Sequence, residues 1–118
     1  MPMPTATSLP ALPSLRRLLG RYVRAFAPRR IVLFGSYAKG QEHAGSDIDL
    51  LIVADLAEES LAHHLRRARQ LAADCFPPVD IVFATPDEIA AAAGAPSPFL
   101  QSILERGVTV YERPGASP

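Results

Sequence analysis

A chain of 118 residues, 48% hydrophobic and 20% charged, carries enough apolar material for one core and too little length for a second domain. Twelve basic and twelve acidic side chains cancel, so no global field draws the chain onto nucleic acid, and direct nucleic-acid binding is not expected. No apolar run approaches the length of a membrane span, and the N-terminus lacks the charged start and unbroken apolar core of a signal peptide. With Cys75 as the lone cysteine, the chain reads as a cytoplasmic protein without an intramolecular disulfide.

Residues 1–13, with Pro2, Pro4, Pro10 and Pro13, cannot form a continuous helix and read as a flexible leader; a single domain is expected over 14–112 and a flexible tail over 113–118. Leu15, Leu18, Leu19, Tyr22, Val23 and Phe26 recur at helical spacing, with Ser14 as the expected N-cap and Pro28 as the stop. The early arginines, Arg16, Arg17, Arg21, Arg24, Arg29 and Arg30, read as a solvated helix face, with a local basic patch as the alternative. Arg30 to Phe34 predicts a buried strand, Tyr37 to Lys39 a short helix, and Ile48 to Val53 a second strand, antiparallel to the first because the connection holds no long crossover. Asp55, Glu58 and Glu59 are expected at the start of the next helix, where they complement its dipole. The stripe Leu61, Leu65, Ala68, Leu71, Ala72 and Cys75 predicts that helix, ended by Pro77-Pro78, and Val79 to Ala84 a third strand. Thr85-Pro86-Asp87-Glu88 is a capping box with Pro at the first helical position. Ser97-Pro98 opens a last helix capped by Gly107, and Val108 to Tyr111 closes the chain as a strand. The fold class is therefore α+β (mixed α/β): about four strands in one mixed sheet covered by helices.

Between Gly35 and Asp49 the chain reads Gly-Ser-Tyr-Ala-Lys-Gly-Gln-Glu-His-Ala-Gly-Ser-Asp-Ile-Asp. Gly35-Ser36 is a small turn whose backbone N–H groups can approach phosphate oxygens. Ten residues separate Ser36 from Asp47. Asp47 and Asp49, two apart on a strand, share one face about 6.6 to 7 Å apart along the backbone, which lets short carboxylates converge on metal ions. Asp80, in a later strand, offers a third acceptor or else is a charge at the sheet edge after Pro78. Adjacent His63 and His64 diverge by about 100° on a helix and cannot share a metal. His43 reads as a surface-loop residue, and Ser36 lacks the partners of a nucleophilic triad.

This pattern of Gly-Ser, ten residues, Asp-x-Asp and a later strand Asp resembles the minimal nucleotidyltransferase (MNT) domain of the DNA polymerase β-like superfamily, over about residues 15–112. The resemblance implies the nucleotidyltransferase fold, with Gly35 and Ser36 on a nucleoside triphosphate. It implies two Mg²⁺ ions on Asp47, Asp49 and Asp80, and Asp80 as the candidate base. Lys39 stands where relatives carry Arg, keeping the charge without the bidentate fork. ATP is the implied donor and AMP the transferred group. The implied partner is a HEPN-domain toxin, modified on a tyrosine, which would make this chain the antitoxin of a pair and part of a homo- or hetero-oligomer. Two alternatives are a noncatalytic nucleotide-binding module that neutralises a partner by contact, and a nucleotidyltransferase acting on a small molecule.

Overall fold

Proline costs least in the first turn of a helix, where its missing N–H has no acceptor to serve, and Pro13 accordingly opens α1, Pro13–Phe26. The computed structural model of the chain describes residues 13–56, 60–94 and 98–114. Residues 1–12 and 115–118 of the expected leader and tail, together with Glu58, Glu59 and Ser97, lie outside the described residues. Ser14 is not the cap expected of it. Its hydroxyl donates instead to the carbonyl of Phe76, 3.0 Å away, tying α1 to a distant turn. The helix ends at Ala27, left-handed at φ 44 and hydrogen-bonded back to Val23, because the residue before Pro28 is excluded from helical geometry.

After α1 come β1 (Arg30–Phe34), α2 (Ser36–Lys39), β2 (Ile48–Val53), α3 (Leu61–Leu71), β3 (Val79–Ala84), α4 (Pro86–Gly94), α5 (Pro98–Arg106) and β4 (Val108–Glu112). The sheet order is β3-β2-β1-β4. β1 runs antiparallel to both β2 and β4, whereas β2 and β3 are parallel, as a connection through the crossover helix α3 requires. Beyond β4, Arg113 extends the pairing: its N–H donates to the carbonyl of Arg29 at 2.9 Å and its guanidinium reaches the carbonyl of Ala27.

The two faces of the sheet are both covered, which explains why central β1 and β2 are apolar almost throughout. Ile31, Leu33, Ile48, Leu50 and Ile52 pack under α1 and α3. Val32, Leu51, Val53 and Ala84 meet Ile103 and Leu100 of α5 and Ile89 of α4 on the other face. Leu15, Leu18 and Leu19 are fully buried, each worth about 1.5–3 kcal/mol of transfer free energy. Tyr22, also fully buried, donates its hydroxyl to the carbonyl of Ala68 at 2.8 Å, and burial pushes its phenol up.

α3 is shorter than its apolar stripe suggests. The Ala72 N–H is shared between the carbonyls of Ala68 and Arg69, the Ala73 N–H turns to the nearer carbonyl of Gln70, and Arg21 closes the end with a bond to the carbonyl of Leu71 at 2.8 Å and two to Asp74 at 2.6 and 3.1 Å. Asp55 does not open this helix; it pairs with Arg29 at 3.1 Å. The Thr85 capping box is formed in both directions, with Thr85 N–H to Glu88 Oε1 at 2.9 Å and Glu88 N–H to Thr85 Oγ1 at 3.1 Å. Cys75 is free and half-buried beside the core.

Candidate active site

β1 ends at Phe34 and delivers the chain into Gly35, which adopts φ 76 and ψ −155, a region that only glycine occupies without strain. Space as well as conformation demands glycine here. A Cβ at Gly35 would collide with Oδ2 of Asp49 and lie 3.1 Å from its Cγ. The turn and the carboxylate strand are thus in direct contact. α2 is a single turn in which Ala38 and Lys39 N–H groups return to the carbonyl of Gly35 at 3.1 and 3.3 Å. Those two donors are occupied, so the N–H groups that remain for an anion are the earlier ones, which a first helical turn cannot use internally.

The loop from Gln41 to Ser46 is exposed except at its end, where Ser46 is buried and its Oγ accepts from His43 N–H at 2.9 Å. His43 Nδ1 accepts from Gly45 N–H at 3.2 Å. His43 is therefore committed to holding the loop that leads into Asp47. Asp47 is exposed just before β2, and Asp49 is partly buried within it.

The parallel register places Asp49 opposite Asp80, and the antiparallel register on the other side places Asp49 opposite Phe34. Alternation along the strands puts Asp49 and Asp80 on the sheet face covered by α4 and α5, while Asp47, expected on the same strand, lies one residue before β2 and near enough for its charge to act on Asp49. Asp49 feels both neighbours: burial, then the Asp80 charge, then the Asp47 charge hold its carboxyl above the usual range. Among the described residues no three His, Cys, Asp or Glu side chains are already gathered closely enough to grip a metal. The donor set nevertheless suits a hard cation: all-oxygen ligands, unneutralised mutual repulsion at Asp49, and a glycine that leaves its carboxylate room. His63 and His64 take no part; His64 packs against Phe26 and Phe83 in the opposite layer.

One feature of the site has no signal in the linear sequence. A cavity of about 150 Å³ lies between Gly35 and α5, lined by Phe34, Gly35, Lys39, Phe99, Ser102 and Arg106 among others. Arg106 and Phe99 lie more than sixty residues from Gly35 in the chain and reach it only through the packing of α5 on β1. A larger hollow of about 820 Å³, beside Arg29, Asp55 and Glu88, sits at the opposite end of the strands and away from the carboxylates.

The family model described as "Polymerase beta, Nucleotidyltransferase" matches residues 21–115. Among solved structures, a toxin–antitoxin crystallised with AMP-PNP is 24% identical at a TM-score of 0.56, the match covering 82% of this chain and 73% of that one. A protein assigned as a nucleotidyltransferase from Sulfolobus solfataricus is 16% identical at a TM-score of 0.56, covering 89% and 83%. A mutant of the toxin–antitoxin MntA–HpeT is 22% identical at 0.55, covering 84% and 71%. No curated protein matches the chain significantly.

Proposed function

The chain belongs to the polymerase β nucleotidyltransferase family, and from that premise we propose that it transfers AMP from ATP to a tyrosine hydroxyl of a HEPN-type toxin, acting as the antitoxin of the pair. The observation that carries this reading is the contact between Gly35 and Asp49, which makes the phosphate turn and the carboxylates one site, with Asp80 in register beside it. The toxin–antitoxin assemblies among the structural neighbours, one of them holding an ATP analogue, support a toxin partner and a nucleotide donor.

Asp47, Asp49 and Asp80 would hold two Mg²⁺ ions, which when bound supply positive charge to the phosphate oxygens and lower the pKa of the acceptor hydroxyl. The residues of the chain supply the rest. The Gly35-Ser36 turn orients the phosphates through backbone N–H groups and the Ser36 hydroxyl. Lys39 adds a point charge at the same turn. Asp80, exposed at the edge strand, would accept the proton that the attacking tyrosine hydroxyl gives up. The oxygen of that hydroxyl bonds to the α-phosphorus, the bond to the bridging oxygen breaks, and pyrophosphate leaves.

The test is mass spectrometry of a co-expressed HEPN-type partner after incubation with ATP and Mg²⁺. AMP should appear on a partner tyrosine with wild-type protein at substoichiometric amounts and be absent with Asp47→Asn. Neutralisation only at equimolar ratio, with the partner's mass unchanged, would replace this reading with simple complex formation.

A further inference from the structure

We infer that the outer edge of β3 is the docking site of the acceptor protein, which adds an extended, acidic segment to the sheet as a further strand and so sets its hydroxyl side chain beside Asp80. The inference rests on the proposed transfer to a partner protein and deepens it by naming the surface and the form of the segment. Ile48 N–H donates to the carbonyl of Pro78 at 2.8 Å, and Ala54 N–H to that of Ala84 at 3.0 Å. Alternate residues of a parallel strand turn their backbone groups to opposite sides. Asp80, Val82 and Ala84 therefore serve β2, and the N–H and C=O groups of Val79, Ile81 and Phe83 turn outward. β3 ends the sheet, and no described residue bonds to those outward groups.

Proteins usually blunt such an edge with a lysine, a proline or a bulge. The opposite edge follows that rule, since β4 joins β1 through a register shift at Ile31 and Val32. β3 keeps unbroken register along its 6 residues and carries Asp80 as its only charge. Phe76, 74% exposed just before this edge begins, offers a partner an aromatic anchor.

Helix α3 selects the occupant. It meets α1 through His64, Ala68 and Leu71, the i, i+4, i+7 spacing of one helix face. Ala62, Leu65, Arg66, Arg69 and Ala73 on the opposite flank line a hollow of about 520 Å³. α3 lies on the edge strand, His64 against Phe83, so the flank turned away from α1 faces outward past β3. Arg66 and Arg69 are exposed there and have no ion-pair partner among the described residues. A second copy of this chain, added to β3 about a two-fold axis, would bring the arginines of both α3 helices together, like charge on like. A segment bearing carboxylates is what complements them. Alternation then fixes its pattern: acidic and apolar side chains face α3, and the residue opposite Asp80, on the other face, carries the hydroxyl. That residue extends the row of Phe34, Asp49 and Asp80 by one strand, about 4.8 Å.

Amide hydrogen exchange, followed residue by residue by NMR on the full chain with and without the partner protein of the transfer test, checks this. In the free chain the Val79, Ile81 and Phe83 amides should exchange fast while Asp80 and Val82 are protected; in the complex those three should slow by about 100-fold or more. Arg66→Glu combined with Arg69→Glu, both exposed and outside the catalytic site, should weaken the complex by about 10- to 100-fold in calorimetry and leave ATP binding with Mg²⁺ unchanged. Amides that stay fast in a formed complex, or full affinity in the double variant, overturn the docking site even where AMP is transferred. Protection already present in the free chain overturns it too, giving the edge to a second copy if it rises with concentration and to the chain's own residues if it does not. Slowed amides with no AMP on the partner uphold the docking site and overturn the transfer reading, and absence of any complex overturns both.

Discussion

Replacing Gly35 by alanine isolates the contact on which the site is built. At φ 76 and ψ −155 a side chain strains the backbone by about 1–3 kcal/mol. The new Cβ would also overlap Oδ2 of Asp49 and stand 3.1 Å from its Cγ, inside the separation of about 3.5 Å at which carbon atoms rest. The Asp49 carboxylate is the movable partner, so the variant folds with that group rotated away from the turn. At about 4 °C per kcal/mol for a domain of this size, the melting temperature should fall by about 4–12 °C. Stabilisation by ATP with Mg²⁺ should disappear. Gly40→Ala is the control: it too has positive φ, 68, but nothing lies within 4 Å of its Cβ, so it should lose stability while keeping the nucleotide response. Thermal melts of the three proteins, with and without ATP and Mg²⁺, make the comparison. A Gly35→Ala protein that melts within a degree or so of wild type and still responds to ATP would refute the argument.

Four further outcomes are expected. Asp49→Asn should melt higher than wild type in EDTA, because it removes a partly buried charge repelled by Asp80 and Asp47, and should lose the rise that Mg²⁺ and ATP give the wild type; equal melts in EDTA count against the repulsion. Ser36→Ala should weaken ATP binding by about 10- to 100-fold in calorimetry through one lost phosphate hydrogen bond, and no change would remove Ser36 from the site. The Arg21 guanidinium holds the Asp74 carboxyl below its usual range, so the pair's stabilisation is present above the unfolded carboxylate value and lost as pH falls through the lower folded one; Asp74→Asn should therefore be the less stable protein at neutral pH and converge with wild type in acid denaturation. Gly107→Ala, whose Cβ would lie 2.5 Å from the Ile103 carbonyl and 2.5 Å from Val32 Cγ1, should cost about 1–3 kcal/mol of unfolding free energy by overpacking, measured by urea titration.

What the sequence discloses follows the distance over which each feature is determined. The Thr85 capping box is legible because donor and acceptor are three residues apart, and it forms in both directions. β1, β2 and β3 are legible because apolar runs end at glycine, proline or charge, and their bounds agree with the reading from periodicity. Ser14 misleads because the same hydroxyl that could cap its own helix finds a carbonyl 62 residues away; local rules cannot weigh a tertiary competitor. Asp55 misleads similarly, being claimed by Arg29 across 26 residues. The nearness of Asp47 to Asp49 is legible from their two-residue spacing, although Asp47 falls just before β2, but the pairing of Asp49 with Asp80 depends on the crossover through α3, which fixes parallel register. Arg106 and Phe99 depend on where α5 lands, and no spacing in the chain announces that.

The site gathers choices that a sequence selected for stability alone would avoid. Gly35 holds a conformation restricted to glycine, Asp49 carries a charge that burial and two neighbours oppose, and Lys39 and Arg106 line one cavity with no ion-pair partner among the described residues. Elsewhere local and tertiary preferences agree: the capping box closes, Tyr22 finds the Ala68 carbonyl, and Arg21 finds Asp74. Conflicts gathered in one place are the physical mark of a candidate functional site, although among the described residues two buried nitrogens outside it, Arg30 Nε and His64 Nδ1, also lack a hydrogen-bond partner. In the function proposed above, cations would neutralise the carboxylates, phosphate oxygens would neutralise the charge at Lys39, and the uncovered Gly35 would let both approach the same backbone, so that a metal-bound polyphosphate would relieve the charge conflicts together.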